Sequence, residues 1–169
     1  MNDRMALAIN KQINEELYSA YLYHAIRAYF DDLGLAGFSS WMDAQTQEEL
    51  FHAEKFFSYM AERGGKVKLY AIKEPDCEWS SPLEAFSASL AHEQHITKCI
   101  NDLIDIAVEE KDYATRNLLN WYVDEQVEEE DNVGKVVNEL KLIKDDGRGL
   151  LMLDRELAVR KFTPAPTTE

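Results

Sequence analysis

Glu16, Glu49, Glu93 and Glu129 interrupt four otherwise apolar stripes, and His52 follows Glu49 by three residues. Spaced by alternating threes and fours, the first two stripes read Ile9, Ile13, Glu16, Ala20, Tyr23 and Phe38, Met42, Gln45, Glu49, His52, Phe56, Tyr59. The other two read Phe86, Leu90, Glu93, Thr97, Ile100, Ile104 and Leu119, Tyr122, Gln126, Glu129, Val133, Val136, Leu140, Ile143. Residues at this spacing share one helix face, so each acid must point where its apolar neighbours point, into the core. One glutamate on such a stripe is ordinarily a side chain reaching back to water, and an isolated core histidine is ordinarily satisfied by one hydrogen bond. Four such acids with an imidazole are different, because each buried carboxylate without a partner is strongly destabilising.

The chemistry open to this set is metal binding. Glu-x-x-His puts a carboxylate and an imidazole one turn apart on the same face, close enough to hold one ion together. Four negative charges are cancelled by two divalent cations, which leaves a neutral centre that a low-dielectric interior tolerates. Oxygen-rich donors with one imidazole and no thiolate suit iron or manganese rather than structural zinc. One ion is assigned to Glu16, Glu49 and His52, the other to Glu49, Glu93 and Glu129, with Glu49 bridging. Carboxylates stabilise the ferric state, so Fe(II) held there is driven toward oxidation. Tyr23, two turns after Glu16, and Gln126, one turn before Glu129, share the ligand faces and are candidate hydrogen-bond partners of the centre. His92-Glu93-Gln94-His95 is only superficially like the His-Glu-x-x-His of zinc proteases. Its histidines are three apart instead of four and only Glu93 falls on the stripe, so both histidines are assigned to flanking or surface positions.

Four long helices are needed to carry these stripes. The first is predicted from about Arg4 to Asp32, ending before the Gly34 to Gly37 turn, and the second ends at Arg63, with Gly64 and Gly65 as left-handed residues of its cap. Lys66 to Ser80 is a long connection, of the kind a bundle needs when its second and third helices run in the same direction. Ser81, Pro82 and Glu84 fit N-cap, N1 and N3 of a capping box opening helix three. A break near Lys111 and Asp112 precedes helix four, from Tyr113 or Ala114 to about Lys144. Gly147 and Gly149 are expected to separate it from a short fifth helix, Leu150 to Val159. The fold class that follows is all-α, a four-helix bundle with one long crossover and a short C-terminal helix. Residues 1–162 are expected to form one domain and 163–169 a frayed tail.

A chain of 169 residues can bury a core without disulfides or a structural metal. Cys77 and Cys99 show no metal-ligand or redox spacing, which fits a reducing cytosol. The amino terminus lacks the apolar run of a secretory leader, and no stretch approaches the roughly twenty apolar residues that span a bilayer. A cytoplasmic protein with no membrane partner is expected. With 32 acidic against 18 basic residues the formal charge is -14, which disfavours nucleic acid and anionic lipid and favours cations. The charge is concentrated at Glu48 with Glu49 and at Glu125, Glu128, Glu129, Glu130 and Asp131, beside the stripe acids.

Nearly the whole chain resembles the non-haem ferritins of bacteria and archaea. The matching segments are NEELYSAYLY at Asn14 to Tyr23, QEELFHA at Gln47 to Ala53, ERGG at Glu62 to Gly65, HEQ at His92 to Gln94 and NWYVDEQVEEE at Asn120 to Glu130, followed by a fifth helix. The resemblance implies that Glu16, Glu49 and His52 form the first ferroxidase iron site, and that Glu93 and Glu129 form the second, with Gln126 and Tyr23 beside it. It also implies a third iron position at Glu48, Glu125, Glu128 and Glu129; a solvated acidic face is the alternative for Glu125 and Glu128. The activity implied is oxidation of Fe(II) by dioxygen or hydrogen peroxide, with ferric oxide stored inside a homo-oligomeric shell of about 24 subunits. Bacterioferritins carry a haem-ligating methionine directly after the helix-two glutamate, where this chain has Leu50, so no haem is expected. Symmetric di-iron proteins have a second Glu-x-x-His, whereas Glu129 is followed three residues later by Asn132. Such asymmetry suits a second iron that is passed onward. The competing reading is a small-assembly di-iron oxidase or peroxidase, and a third is a noncatalytic bundle that sequesters cations on its acidic faces.

Overall fold

The structure, a computed structural model, describes residues 1–163; the frayed tail expected at 163–169 lies, apart from Thr163, outside the described residues. Five helices follow in order: α1 (Asp3–Asp32), α2 (Ala36–Glu62), α3 (Pro82–Glu109), α4 (Tyr113–Ile143) and α5 (Gly147–Leu157). No strand occurs among the described residues. Short turns join α1 to α2 and α3 to α4, and these two hairpins are the most closely packed pairs, with α1 also against α3. Glu15 meets His95 and Arg4 meets Glu110, so α1 and α3 are antiparallel, while Tyr59 meeting Thr115 and Gln45 meeting Glu129 make α2 antiparallel to α4. Helices α2 and α3 therefore run in the same direction, and the irregular segment 63–81 must return along the whole bundle. Asn10 pins this crossover, donating to Lys66 O at 3.0 Å and accepting from Lys68 N at 2.6 Å.

The apolar interior is divided in two. One cluster gathers Leu22, Ile26, Phe30, Phe38, Met42, Phe86, Val133 and Val137; the other gathers Met5, Ile9, Ile13, Phe56, Met60, Ile100, Leu119 and Tyr122. On every long helix the candidate ligands lie between the two, so a polar layer crosses the bundle at mid-height. Each of the large side chains around it contributes about 1.5–3 kcal/mol by leaving water, which is what holds such a layer in place. On α3 the deepest row is Phe86, Ser89, Glu93, Ile96, Ile100, Leu103 and Ala107, with Leu90, Thr97 and Ile104 only half-buried. The helix is thus turned slightly from the expected stripe, and its seam repeats at the 3.5-residue period of bundle packing. Ser89 is tolerated inside because its hydroxyl donates to Ala85 O at 3.0 Å.

Several helix ends differ from expectation. Helix α3 does begin at Ser81, whose hydroxyl accepts from Glu84 N at 3.1 Å, but the Glu84 carboxylate reaches Ser80 N and Oγ, both at 2.5 Å, so the reciprocal half of the box is displaced by one residue. At the end of α2 only Gly64 is left-handed, at φ 66°, while Gly65 N closes the turn on Met60 O at 2.8 Å. Helix α5 starts at Gly147, not Leu150, because Asp146 accepts from Arg148 N at 3.0 Å and caps a first turn that includes both glycines. It ends at Leu157, ahead of the expected Val159.

Helix α2 has no cap of its own. Its first free amides, Gly37 N and Phe38 N, donate to Asp154 Oδ1 of α5 at 2.7 and 3.0 Å. The approach is so close that a Cβ on Gly37 would stand 1.5 Å from Asp154 O. Gly37→Ala is therefore expected to unseat α5 and to lower stability at the upper end of the about 1–3 kcal/mol that overpacking costs. Gly134, inside α4 with nothing within 4 Å of its virtual Cβ, is the control: Gly134→Ala is expected to gain about 0.5–1 kcal/mol. Denaturant midpoints compare the two, and an unshifted Gly37→Ala would mean that α5 does not sit on α2 in solution.

Candidate metal centre

Glu16 comes from α1, Glu49 and His52 from α2, Glu93 from α3 and Glu129 from α4, and each is 3% exposed or less. The side chains that donate to these acids are uncharged amides and a phenol. Gln12 Nε2 donates to Glu16 Oε1 at 3.0 Å, one turn back on α1. Gln45 Nε2 lies 2.6 Å from Glu129 Oε2 and 3.3 Å from Glu49 Oε1, joining α2 to α4. Tyr23 OH donates to Glu93 Oε1, and Gln126 Nε2 lies 3.2 Å from both Glu93 Oε2 and Glu93 O. No lysine or arginine donates to any of the four core acids among the described residues. Tyr122 OH donates to the His52 carbonyl at 2.8 Å and fixes α2 against α4 there.

This arrangement is electrostatically unhappy on its own. Burial, then repulsion from Glu49, raises Glu16 to about 8; burial and Glu49 do the same to Glu93, also about 8. Burial with repulsion from Glu93 lifts Glu129 to about 8, and Glu49 is held well above the carboxylate range by burial and Glu129. Among the described residues, two side-chain polar atoms, Glu16 Oε2 and His52 Nε2, are buried without a hydrogen-bond partner. Glu125 Oε2 lies 3.9 Å from the latter, too far for a hydrogen bond. One ligand atom each from Glu16, Glu49 and His52 lie within 4.8 Å of one another, and His52 Nδ1 is 3.5 Å from Glu49 Oε2. A hard or borderline cation fits these donors: it would satisfy the orphaned oxygen and nitrogen and relieve the mutual repulsion of the acids.

The remaining sequence candidates lie at the margin. Glu48 is partly exposed and bonded to Arg160 at 2.5 Å, Glu125 is partly exposed, and Glu128 is exposed. His92 donates or accepts across to Ser19 Oγ at 2.7 Å, and burial lowers its ring to about 4, while His95 is exposed beside Glu15 at 3.1 Å. Both histidines face α1, His92 half-buried against Tyr18 and Tyr23 and His95 on the surface, and neither bonds a core acid. Sequence reasoning gave no role to Gln12, Gln45 or Arg160. The first two could have been found, since each stands one turn before a core glutamate. Arg160 lies in the irregular segment after α5, where periodicity carries no signal.

Comparison with known proteins gives the family and the fold. The sequence profile of the ferritin-like domain family matches residues 6–143. The bacterial non-heme ferritin of Staphylococcus saprophyticus is 41% identical over 162 residues, covering 96% of this chain and 97% of that protein. That of Staphylococcus aureus is 40% identical over 155 residues, covering 92% and 93%. Among solved structures, the open pore ferritin of the hyperthermophilic archaeon Archaeoglobus fulgidus superimposes with a TM-score of 0.94 at 53% identity, covering 95% of this chain and 99% of that one. An engineered closed form of the same ferritin gives 0.95 at 53% identity, covering 96% and 99%.

Proposed function

This chain belongs to the ferritin-like domain family, and from that membership we propose that it is an iron-storage ferroxidase. Fe(II) is the substrate. Two ions enter the mid-height layer, one held by Glu16, Glu49 and His52, the other by Glu49, Glu93 and Glu129, with Glu49 between them. Each Fe(II) gives up one electron; with two protons the pair converts dioxygen to hydrogen peroxide, or hydrogen peroxide to water. The oxygen-rich donors favour the ferric product. Glu48, Glu125 and Glu128, together with Glu129, form a third position on the path by which Fe(III) leaves for a ferric oxide mineral held inside a shell of about 24 copies.

The observation that carries this reading is the convergence, from four helices, of four buried carboxylates and one imidazole with no cationic donor among their hydrogen-bond partners. Around them the chain's own groups hold the geometry: Tyr23 and Gln126 orient Glu93, Gln12 holds Glu16, and Gln45 spans Glu49 and Glu129. The proposed setting is the cytoplasm, supported by free Cys77 and Cys99 and by the lack, among the described residues, of a helix long and apolar enough to cross a membrane.

Aerobic addition of Fe(II) followed by sizing tests the reading. Soluble ferric cores are expected to co-elute with protein at the size of a shell of about two dozen chains. Elution of a dimer without cores would overturn storage and favour a small-assembly di-iron oxidase or peroxidase.

A further inference from the structure

Helices α1 and α3 bring a second donor set together outside the core layer. His95 and Cys99 stand one turn apart on the same face of α3, and Glu15 meets them from α1. His95 Nε2 lies 3.1 Å from Glu15 Oε2 and 3.6 Å from Cys99 Sγ. The spacing of the two cysteines concealed this group, because the neighbour of Cys99 is a histidine four residues earlier. Cys77 is exposed on the crossover, its sulfur directed at Pro75 O at 3.5 Å.

We infer that His95, Cys99 and Glu15 form a binding site for one zinc-class divalent cation, separate from the carboxylate layer. No single protonation state of the ring suits both of its neighbours. With a proton on Nε2 the imidazole bonds Glu15; with Nε2 bare it accepts from the Cys99 S–H and repels the carboxylate. A cation in place of that proton is attracted to all three groups. The distances fit such an ion: at about 2.3 Å to sulfur and 2.0–2.1 Å to nitrogen and oxygen, tetrahedral zinc sets nitrogen and sulfur about 3.5 Å apart and nitrogen and oxygen about 3.3 Å apart. Here the two separations are 3.6 and 3.1 Å. Sulfur and carboxylate also border a cavity of about 380 Å3 between α1 and α3, lined by Gln12 and Asp102 among others, which gives water the fourth position.

The donor set differs in kind from the core. A thiolate with an imidazole selects zinc or another soft ion, whereas the oxygen-rich layer suits iron. Burial first, then Glu15 and Asp102, push the Cys99 thiol up to about 11, so without metal the sulfur stays protonated and is a poor nucleophile. Metal binding displaces that proton: the S–H bond breaks, a sulfur–metal bond forms, one proton leaves to water and no electron changes hands.

Titration of the intact, iron-free protein with Co(II), a coloured substitute for zinc, tests the site. The core layer holds no sulfur, so thiolate-to-cobalt charge transfer in the near ultraviolet reports Cys99 apart from the carboxylates. The unaltered protein, Cys77→Ser and Glu49→Gln are expected to develop the same band, and excess Zn(II) to bleach it. Cys99→Ser is expected to abolish the band, and His95→Gln to raise the half-saturating Co(II) concentration about 100-fold, the upper end of what even the partners of metal ligands cost when lost. No band in the unaltered protein would overturn the proposal. So would a band undiminished in Cys99→Ser, which would belong to Cys77, or unchanged in His95→Gln, which would belong to a thiol acting alone. A band lost in Glu49→Gln would overturn it as well, by tying the sulfur to the core centre.

Discussion

Glu49→Gln is expected to slow rapid ferrous oxidation by about 100-fold or more, the upper end of what even the partners of metal ligands cost when lost. Glu49 is the acid through which the two halves of the layer communicate: His52 is one turn away at 3.5 Å, and Gln45 joins it to Glu129. Glutamine preserves its size and removes its charge, so two divalent ions would face three carboxylates and leave net positive charge in a dry interior. Misfolding is an unsatisfactory explanation in advance, because the substitution removes a buried charge that burial and Glu129 already disfavour. Stopped-flow oxidation and a denaturant midpoint on the same preparation check both halves of the statement. A wild-type rate in a correctly folded variant would exclude Glu49 from the centre.

The second large effect is the loss of a pH dependence when metal binds. In the metal-free protein Glu16, Glu93 and Glu129 titrate at about 8, against an ordinary value of 4.5. Between those two values the native state binds more protons than the unfolded chain, so stability falls as pH rises across the window from 4.5 to about 8. Bound divalent metal demands deprotonated ligands, so filling the layer releases protons, and affinity strengthens with pH in the same range. The protons the native state holds are the ones binding releases, so with excess Mn(II) the two dependences cancel and the denaturant midpoint is expected to stay level over the interval in which it declines without metal. Because a net charge of -14 also disfavours compactness at high pH, the comparison is made against Glu93→Gln with Glu129→Gln, which retains the surface charge but should lose most of the difference between the two curves. Parallel pH curves for the wild type with and without Mn(II) would remove the link between these acids and metal.

The register of the four long helices was readable in the sequence because bulky apolar residues recur on one face over many turns. Glu16, Glu49, His52, Glu93 and Glu129 were visible as exceptions to that pattern. On α3 the reading was off by part of a turn, since hydrophobicity favoured Leu90 over Ser89, while the bundle seam needed the smaller side chain inside. At α3, Ser81, Pro82 and Glu84 were legible as N-cap, N1 and N3, but not that the Glu84 carboxylate would take Ser80 for its reciprocal bond, since Ser80 and Ser81 offer similar groups in succession. Asp154 capping α2 and Arg160 reaching Gln45 were invisible for a different reason. Each joins residues more than a hundred positions apart through short or irregular segments, and no local preference announces such a meeting.

The two hairpins divide the candidate ligands unequally: Glu16, Glu49 and His52 all lie on α1 and α2, Glu93 and Glu129 on α3 and α4. Low sequence separation favours each hairpin closing early, with their docking across the long crossover last. The first hairpin alone carries one three-donor group, Glu16, Glu49 and His52, so a lone ferrous ion held there would have a single electron to surrender. On the proposed ferroxidase reading, paired-electron chemistry would then wait until the second hairpin has docked.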